Sequence, residues 1–154
     1  MTELSVPPAA DPTASLVRSV RRIAQAIDVR SREISRLTGL TLPQLLVLQS
    51  IRALGEVSTS AISRDVSMSS PTVVAVLDRL EAKGLIVRYR SATDRRVVHA
   101  RLTEAGSAGL KDAPGLMGSD ALARWSGLPP QRQQTMAAAM AVIADLMAGT
   151  ARPT

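Results

Sequence analysis

Apolar residues recur along this chain in two rhythms, and the switch between them marks its middle third. Leu16, Val20, Ile23 and Ile27 follow one another at spacings of four, three and four, and Ile34 and Leu37 continue the stripe. That period predicts a helix over 13–38, stopped by Gly39. Thr41-Leu42-Pro43-Gln44 then has the form of a new start. Thr41 can cap, Gln44 can reach back to it, and Pro43 is tolerated in a first turn. A helix over 42–54 follows, with Gly55 as its stop. Two further helices are predicted close together, over 59–65 and 70–83, separated by Val66-Ser67-Met68. Ser69 caps the second of them, Pro71 lies in its first turn and Gly84 ends it. Two helices joined by so short a turn make a helix-turn-helix.

After Gly84 the period falls to that of strands. Residues 85–90 and 97–102 form a predicted β-hairpin whose tip is Ser91-Ala92-Thr93-Asp94-Arg95-Arg96. Helical spacing returns at Thr103 and runs to about Ala113, where Pro114-Gly115 breaks it. A short amphipathic piece over 116–125 precedes a last helix over 130–148. There Met136, Met140, Ile143 and Met147 stand at spacings of four, three and four.

The expected fold is mainly α: a winged helix-turn-helix with a two-stranded β-hairpin wing, plus N- and C-terminal helices forming a dimerisation region. Its parts are a disordered arm over 1–12, an N-terminal dimerisation helix over 13–38 and a winged helix-turn-helix over 41–102. C-terminal dimerisation helices over 103–149 and a loose tail over 150–154 complete it. The first and last helices carry Leu16, Val20, Ile23, Ile27, Met136, Met140, Ile143 and Met147. Such stripes either bury in a second copy or pack on each other within one chain; a compact middle that does not need them favours the second copy.

Composition narrows the function. The chain has 154 residues, 45% of them hydrophobic, with no Phe, one Trp and one Tyr. Leu, Val, Ile, Met and Ala must therefore fill the core. No apolar run approaches the roughly 20 residues that span a bilayer. Residues 1–8 have no basic region and no apolar core, so no signal peptide is expected and the chain reads as cytoplasmic, with no membrane partner. The absence of cysteine excludes disulfides, thiolate metal sites and a cysteine redox switch. With His99 as the single histidine, no metal site, cofactor or catalytic residue is expected. His99 falls on a predicted strand and reads as a sheet-surface residue, not a general base. Neither a Ser/His/Asp set nor a phosphate-binding glycine loop is present, so the chain is not expected to be an enzyme. Two aromatic residues are too few for stacking single-stranded RNA.

Charge is unevenly placed. The net charge is +6, and residues 58–102 hold eight Lys and Arg against four acids, whereas residues 103–154 hold four against four. A basic middle third implies a polyanionic partner. On the helix over 70–83, Val73, Val76, Leu77 and Leu80 form a stripe to be buried. Ser69, Ser70, Thr72, Val74, Ala75 and Arg79 are left to face outward, and a helix presented N-terminus first fits a major groove. At the hairpin tip, Arg95 and Arg96 can enter a minor groove and Asp94 can fix the turn. Arg88 and Arg90, two apart on one strand, could follow the phosphates. Each feature alone could be an ordinary solvated surface; the two together point to double-stranded DNA.

At these residues the chain resembles the MarR family of winged-helix transcriptional regulators. The resemblance runs from about Leu40 to Gly106. It is carried by Leu42-Pro43-Gln44-Leu45-Leu46-Val47-Leu48, by Thr72-Val73, and by the segment from Leu77-Asp78-Arg79-Leu80-Glu81 to Gly84-Leu85-Ile86. Asp94-Arg95-Arg96 and Leu102-Thr103-Glu104-Ala105-Gly106 close it. It implies a triangular homodimer with intertwined first and last helices, each protomer placing its recognition helix in a major groove and its wing in the adjacent minor groove. Arg96 is similar to the family's minor-groove arginine and Asp94 to the residue that orients it. Two-fold symmetry implies a pseudo-palindromic operator, and the expected regulator is a repressor. Within the family the chain is similar to regulators of ectoine and compatible-solute genes, through Thr38–Leu46, Leu77–Glu81 and Leu110–Pro114.

Three departures modify this picture. Val74 and Ala75 stand where the family often has Thr or Arg, which shifts base reading toward shape and methyl contacts. Pro71 stiffens the turn before them. Without Phe and Cys, the aromatic ligand cage and the oxidation switch of some relatives are missing. A small-molecule effector, commonly held in such dimers between the dimer helices and the DNA-reading lobe, stays open as a partner; Trp125 reads as core or dimer packing. The alternative function is a dimerising protein-interaction or architectural DNA-binding protein without an effector.

Overall fold

The computed structural model describes residues 11–149. The expected tail over 150–154, and all but the last two residues of the arm over 1–12, lie outside them. Among the described residues, seven helices and three short strands follow in the order α1 (Pro12–Thr38), α2 (Leu42–Leu54), β1 (Val57–Ser58), α3 (Thr59–Val66), α4 (Ser70–Ala82), β2 (Ile86–Arg90), β3 (Val98–Leu102), α5 (Glu104–Lys111), α6 (Ser119–Ser126) and α7 (Pro130–Ala148). The chain divides into two compact units, one up to Leu116 and one from Met117 onward.

Local chemistry sets the boundaries in the first unit. Asp11 caps α1 and Gly39 ends it in the left-handed region. Thr41 and Gln44 form a reciprocal capping box at the start of α2, which satisfies two otherwise orphaned N–H groups and contributes about 1 kcal/mol. Ser58 caps α3, and Ser69 caps α4. The turn between α3 and α4 is held by Ser67, whose φ is 54° although it is not glycine, and by the Ser63 hydroxyl donating to Met68 O at 2.5 Å. Gly84, at φ 71°, closes α4 with Leu85 N–H donating to Leu80 O at 3.0 Å.

One apolar core lies under these elements. Leu45, Val47, Leu48 and Ile51 of α2 meet Ile62 of α3 and Val73, Val76, Leu77 and Leu80 of α4, with Ile34, Leu40, Val57, Ile86, Ala100 and Leu110 closing the rim. Each fully buried Leu or Ile contributes about 1.5–3 kcal/mol through removal from water. Ser50 Oγ, buried inside α2, has no hydrogen-bond partner among the described residues.

Two features add to the expected fold. The wing is not a two-stranded hairpin alone: Val57-Ser58 adds a third antiparallel strand, giving the order β1-β3-β2. Val57 pairs with Ala100 and Ser58 with His99. Two residues are too short to carry a visible alternation, and their partners lie more than forty residues away in sequence. The second is α5, within the expected segment 103–149, which lies in the first unit with Leu110 buried in the core. Thr103 N–H donates to Leu85 O at 3.0 Å and its hydroxyl to Gly84 O at 2.7 Å. A Cβ on Gly106 would stand 2.0 Å from Leu85 O, so only glycine lets α5 lie this close to the start of the wing.

The second unit consists of α6 and α7, neither with a buried residue. Trp125 is half-buried, and Gln133 Nε2 donates to Trp125 O at 2.8 Å and to Leu128 O at 3.1 Å, tying the start of α7 to the end of α6. Met136, Met140 and Met147 are exposed, and Ile143 is half-buried. In the first unit, Leu16, Ile23 and Ile27 on α1 are likewise exposed, with Val20 half-buried. Among the described residues, no helix is long and apolar enough to cross a membrane.

Candidate nucleic-acid interface

Helix α4 is seated by one face and offers the other. Val73, Val76, Leu77 and Leu80 are buried, and Ser69, Ser70, Thr72, Val74, Ala75 and Arg79 are all exposed. The spacing that buries the first set necessarily turns the second outward. Ser69 is partly committed to the cap. Its Oγ accepts the Thr72 N–H at 3.4 Å and lies 2.8 Å from the Thr72 hydroxyl. Ser70, Val74, Ala75 and Arg79 are left as the free part of the surface, which is small, weakly polar and carries one guanidinium.

The wing tip is built by local hydrogen bonds. Ser91 is buried, and its Oγ accepts the N–H groups of Thr93 at 3.3 Å and Asp94 at 3.4 Å. Ser91 N–H donates to Val97 O, and Val97 N–H to Asp94 O, each at 2.9 Å. Asp94 Oδ1 accepts the Arg96 N–H at 3.0 Å and lies 3.6 Å from Arg96 Nε. One carboxylate thus fixes the backbone of the tip and stands beside its guanidinium. The Arg96 side chain is 95% exposed, and Arg95 is exposed beside it. The tip therefore projects two cations from an ordered turn.

Arg88 and Arg90, the strand arginines expected to follow phosphates, both have partners within the chain. In the register of the sheet Arg88 lies opposite the buried Ala100, so its side chain leaves on the inner face. There Arg88 Nη2 donates to Asp78 Oδ1 at 2.5 Å and to Glu81 Oε1 at 3.3 Å. Its Nε and backbone N–H donate to Glu81 Oε2 at 3.3 and 3.0 Å. The hydrogen bond from Arg88 holds the Glu81 carboxyl below its ordinary range, and the same bond raises the Arg88 guanidinium. With its side chain 23% exposed, Arg88 is occupied by two carboxylates of α4. Arg90, on the same face, is exposed but uses Nη1 to hold Arg95 O at 2.8 Å.

On the outer face of the sheet, Tyr89 and Arg101, which the sequence did not single out, stand beside His99. The Tyr89 hydroxyl donates to Glu56, which raises the phenol's pKa. His99 meets the Tyr89 ring edge-on at 5.6 Å, and the Arg101 guanidinium lies 5.9 Å from its centroid. No group of three or more metal-binding side chains occurs among the described residues.

A helix-turn-helix followed by a hairpin with a basic tip defines the winged helix-turn-helix class. The sequence model of the MarR family matches residues 40–98, which contain both helices and the tip. The chain is 31% identical to the YusO protein from Bacillus subtilis, whose crystal structure superposes with a TM-score of 0.54 over 89% of this chain and 98% of that one. It is 34% identical over 88 residues to the HTH-type transcriptional repressor MdtR of Bacillus subtilis, 57% of each chain. The fold alone is shared with MepR in the S. aureus MepR–DNA complex: 22% identity, TM-score 0.69, and 84% and 96% of the two chains. The chain spans between half and two thirds of the length of the curated relatives it matches. It belongs to the MarR family.

Proposed function

We propose that this chain is a transcriptional regulator that binds double-stranded DNA as a homodimer, most simply as a repressor acting at a pseudo-palindromic operator. The observation that carries the reading is the pair of cations at the ordered wing tip, Arg95 and the 95% exposed Arg96, next to a helix with an exposed, small-residue N-terminal half. The helix suits a major groove, and the tip suits the strongly negative minor groove beside it. Relatives support this: MdtR is a repressor, and MepR has been crystallised with DNA. Homodimerisation is supported by the exposed apolar residues of α1 and, separately, of α7. Because a two-fold pair presents two reading helices, the operator would have half-sites about one helical turn apart.

Control by a small-molecule effector follows from the family relationship. The link to ectoine and compatible-solute genes rests on the segments Thr38–Leu46, Leu77–Glu81 and Leu110–Pro114. It is tested by whether DNA upstream of such genes competes for the protein. The general reading is tested by a gel shift with the chain's own upstream intergenic DNA at two salt concentrations. A sequence-selective shift that weakens with salt is expected, since phosphate contacts release counterions. No shift at low salt with any promoter fragment would refute it.

A further inference from the structure

Strand β2 places three side chains on its inner face at successive alternate positions: Ile86, Arg88 and Arg90. Ile86 is anchored in the core. Arg88 reaches α4, and Arg90 reaches the wing tip. One short strand therefore touches the core and both elements proposed to read DNA.

We propose that Arg88 and Arg90 are positioning residues that lock the α4 helix and the wing tip into one rigid reading surface, and that neither acts as a phosphate contact. This inference rests on the DNA-binding reading above. Arg88 suits such a role because a guanidinium is a planar fork that can serve two carboxylates at once, whereas an ammonium is a point charge. Asp78 and Glu81 stand three apart on α4, so they lie on one helix face and present that fork with two anchors. Fixing both sets the rotation of α4 about its axis relative to β2. Exposed carboxylates beside a DNA-reading helix would ordinarily repel phosphates. Their presence here is accounted for if they hold Arg88. Arg90 acts on backbone instead: by holding Arg95 O it fixes the peptide from which the two tip cations project. Substitutions that keep charge but lose the fork should therefore damage recognition more than net attraction.

The test uses the full chain, a duplex that the wild-type protein selects from a randomised library, and poly(dI-dC) as the non-specific competitor. Arg88→Lys keeps the charge and loses the double anchor. It should weaken binding to the selected duplex about tenfold, the scale of one misplaced base contact, with poly(dI-dC) affinity and salt dependence unchanged. Wild-type affinity in Arg88→Lys would overturn the assignment. The paired variant Asp78→Asn with Glu81→Gln separates geometry from charge. Removing two negative charges alone should tighten binding to any duplex, whereas loss of the anchors should lower the preference for the selected one. Tighter binding with undiminished preference would contradict the proposal. Arg90→Met should leave the slope of log affinity against log salt unaltered; a slope smaller by about one would mark a phosphate contact instead. Amide hydrogen exchange supplies a readout without DNA: faster exchange at Arg96 and Val97 is expected in Arg90→Met, and unchanged exchange would overturn its role. Failure of the wild-type chain to enrich any duplex would sink the DNA-binding reading, while exchange would still decide the bracing, with faster exchange of the Arg88 amide in Asp78→Asn with Glu81→Gln as the sign expected for Arg88 and unchanged exchange overturning it.

Discussion

Helices α4 and α7 are both apolar-striped, and the chain treats them in opposite ways. The stripe of α4 is covered: Val73, Leu77 and Leu80 are fully buried among α2, α3 and the sheet. The stripe of α7 is bare, with Met140 48% and Met147 67% exposed. Apolar spacing thus states that a surface will be buried, without saying in what. For α4 the answer lies in the same chain, and its other face is free to work. For α7, as for the exposed Leu16, Ile23 and Ile27 of α1, the proposed answer is a second copy. The reading surface is thus made by one protomer, while its spacing would be made by two.

The largest effect should come from cutting the covered stripe. Leu77→Ala should destabilise the fold by about 2–5 kcal/mol, the range for truncating a fully buried leucine. Urea unfolding measures it, and a loss under about 1 kcal/mol would mean that the α4 seat is not close-packed. The bare stripe should respond differently. Met140→Lys should leave far-ultraviolet circular dichroism unchanged but weaken self-association roughly a hundredfold, about 2.7 kcal/mol, by putting a charge into an apolar interface. Sedimentation equilibrium decides the point; wild-type association would remove α7 from the dimer interface.

Gly106→Ala sharpens the comparison from inside the covered region. The added Cβ would stand 2.0 Å from the Leu85 carbonyl oxygen, so α5 must move away from the wing. A loss of about 1–3 kcal/mol is expected, in the range for overpacking. Thermal unfolding checks this, and an unchanged midpoint would show that α5 can shift freely. The smallest effect should be a gain. Ser50→Ala removes a buried hydroxyl with no partner among the described residues and introduces a better helix former. It should stabilise by about 1 kcal/mol or less, raising the midpoint by roughly 2–4 °C. Destabilisation would imply that the hydroxyl is bonded in solution.

What the sequence disclosed follows from range of interaction. Helix periods, the Thr41–Gln44 capping box and the buried set of α4 are local, and they were legible. The strand Val57-Ser58 was not, because it exists only through pairing with Ala100 and His99. The burial of Leu110 was not legible either, since spacing alone cannot say which element a helix packs on. Arg88 is the most instructive case. Alternation correctly places Arg88 and Arg90 on one strand face, yet that face lies against α4, where Asp78 and Glu81 wait. A pair of acids three apart, followed by a glycine turn and an arginine on the returning strand, was the available signal. Conversely, Asp94 and Arg96 are two residues apart, and their contact could be foreseen from the turn itself.

The central claim is that the helix and the wing tip act as half of a two-fold pair. Hydroxyl-radical and methylation footprinting on the duplex selected by the wild-type chain tests it most directly. The account predicts two major-groove protections about one helical turn apart, each flanked by a minor-groove protection. Arg96→Ala should abolish the minor-groove pair and cost about 1–3 kcal/mol of affinity. A single unsymmetrical footprint, or minor-groove protection that survives Arg96→Ala, would contradict it.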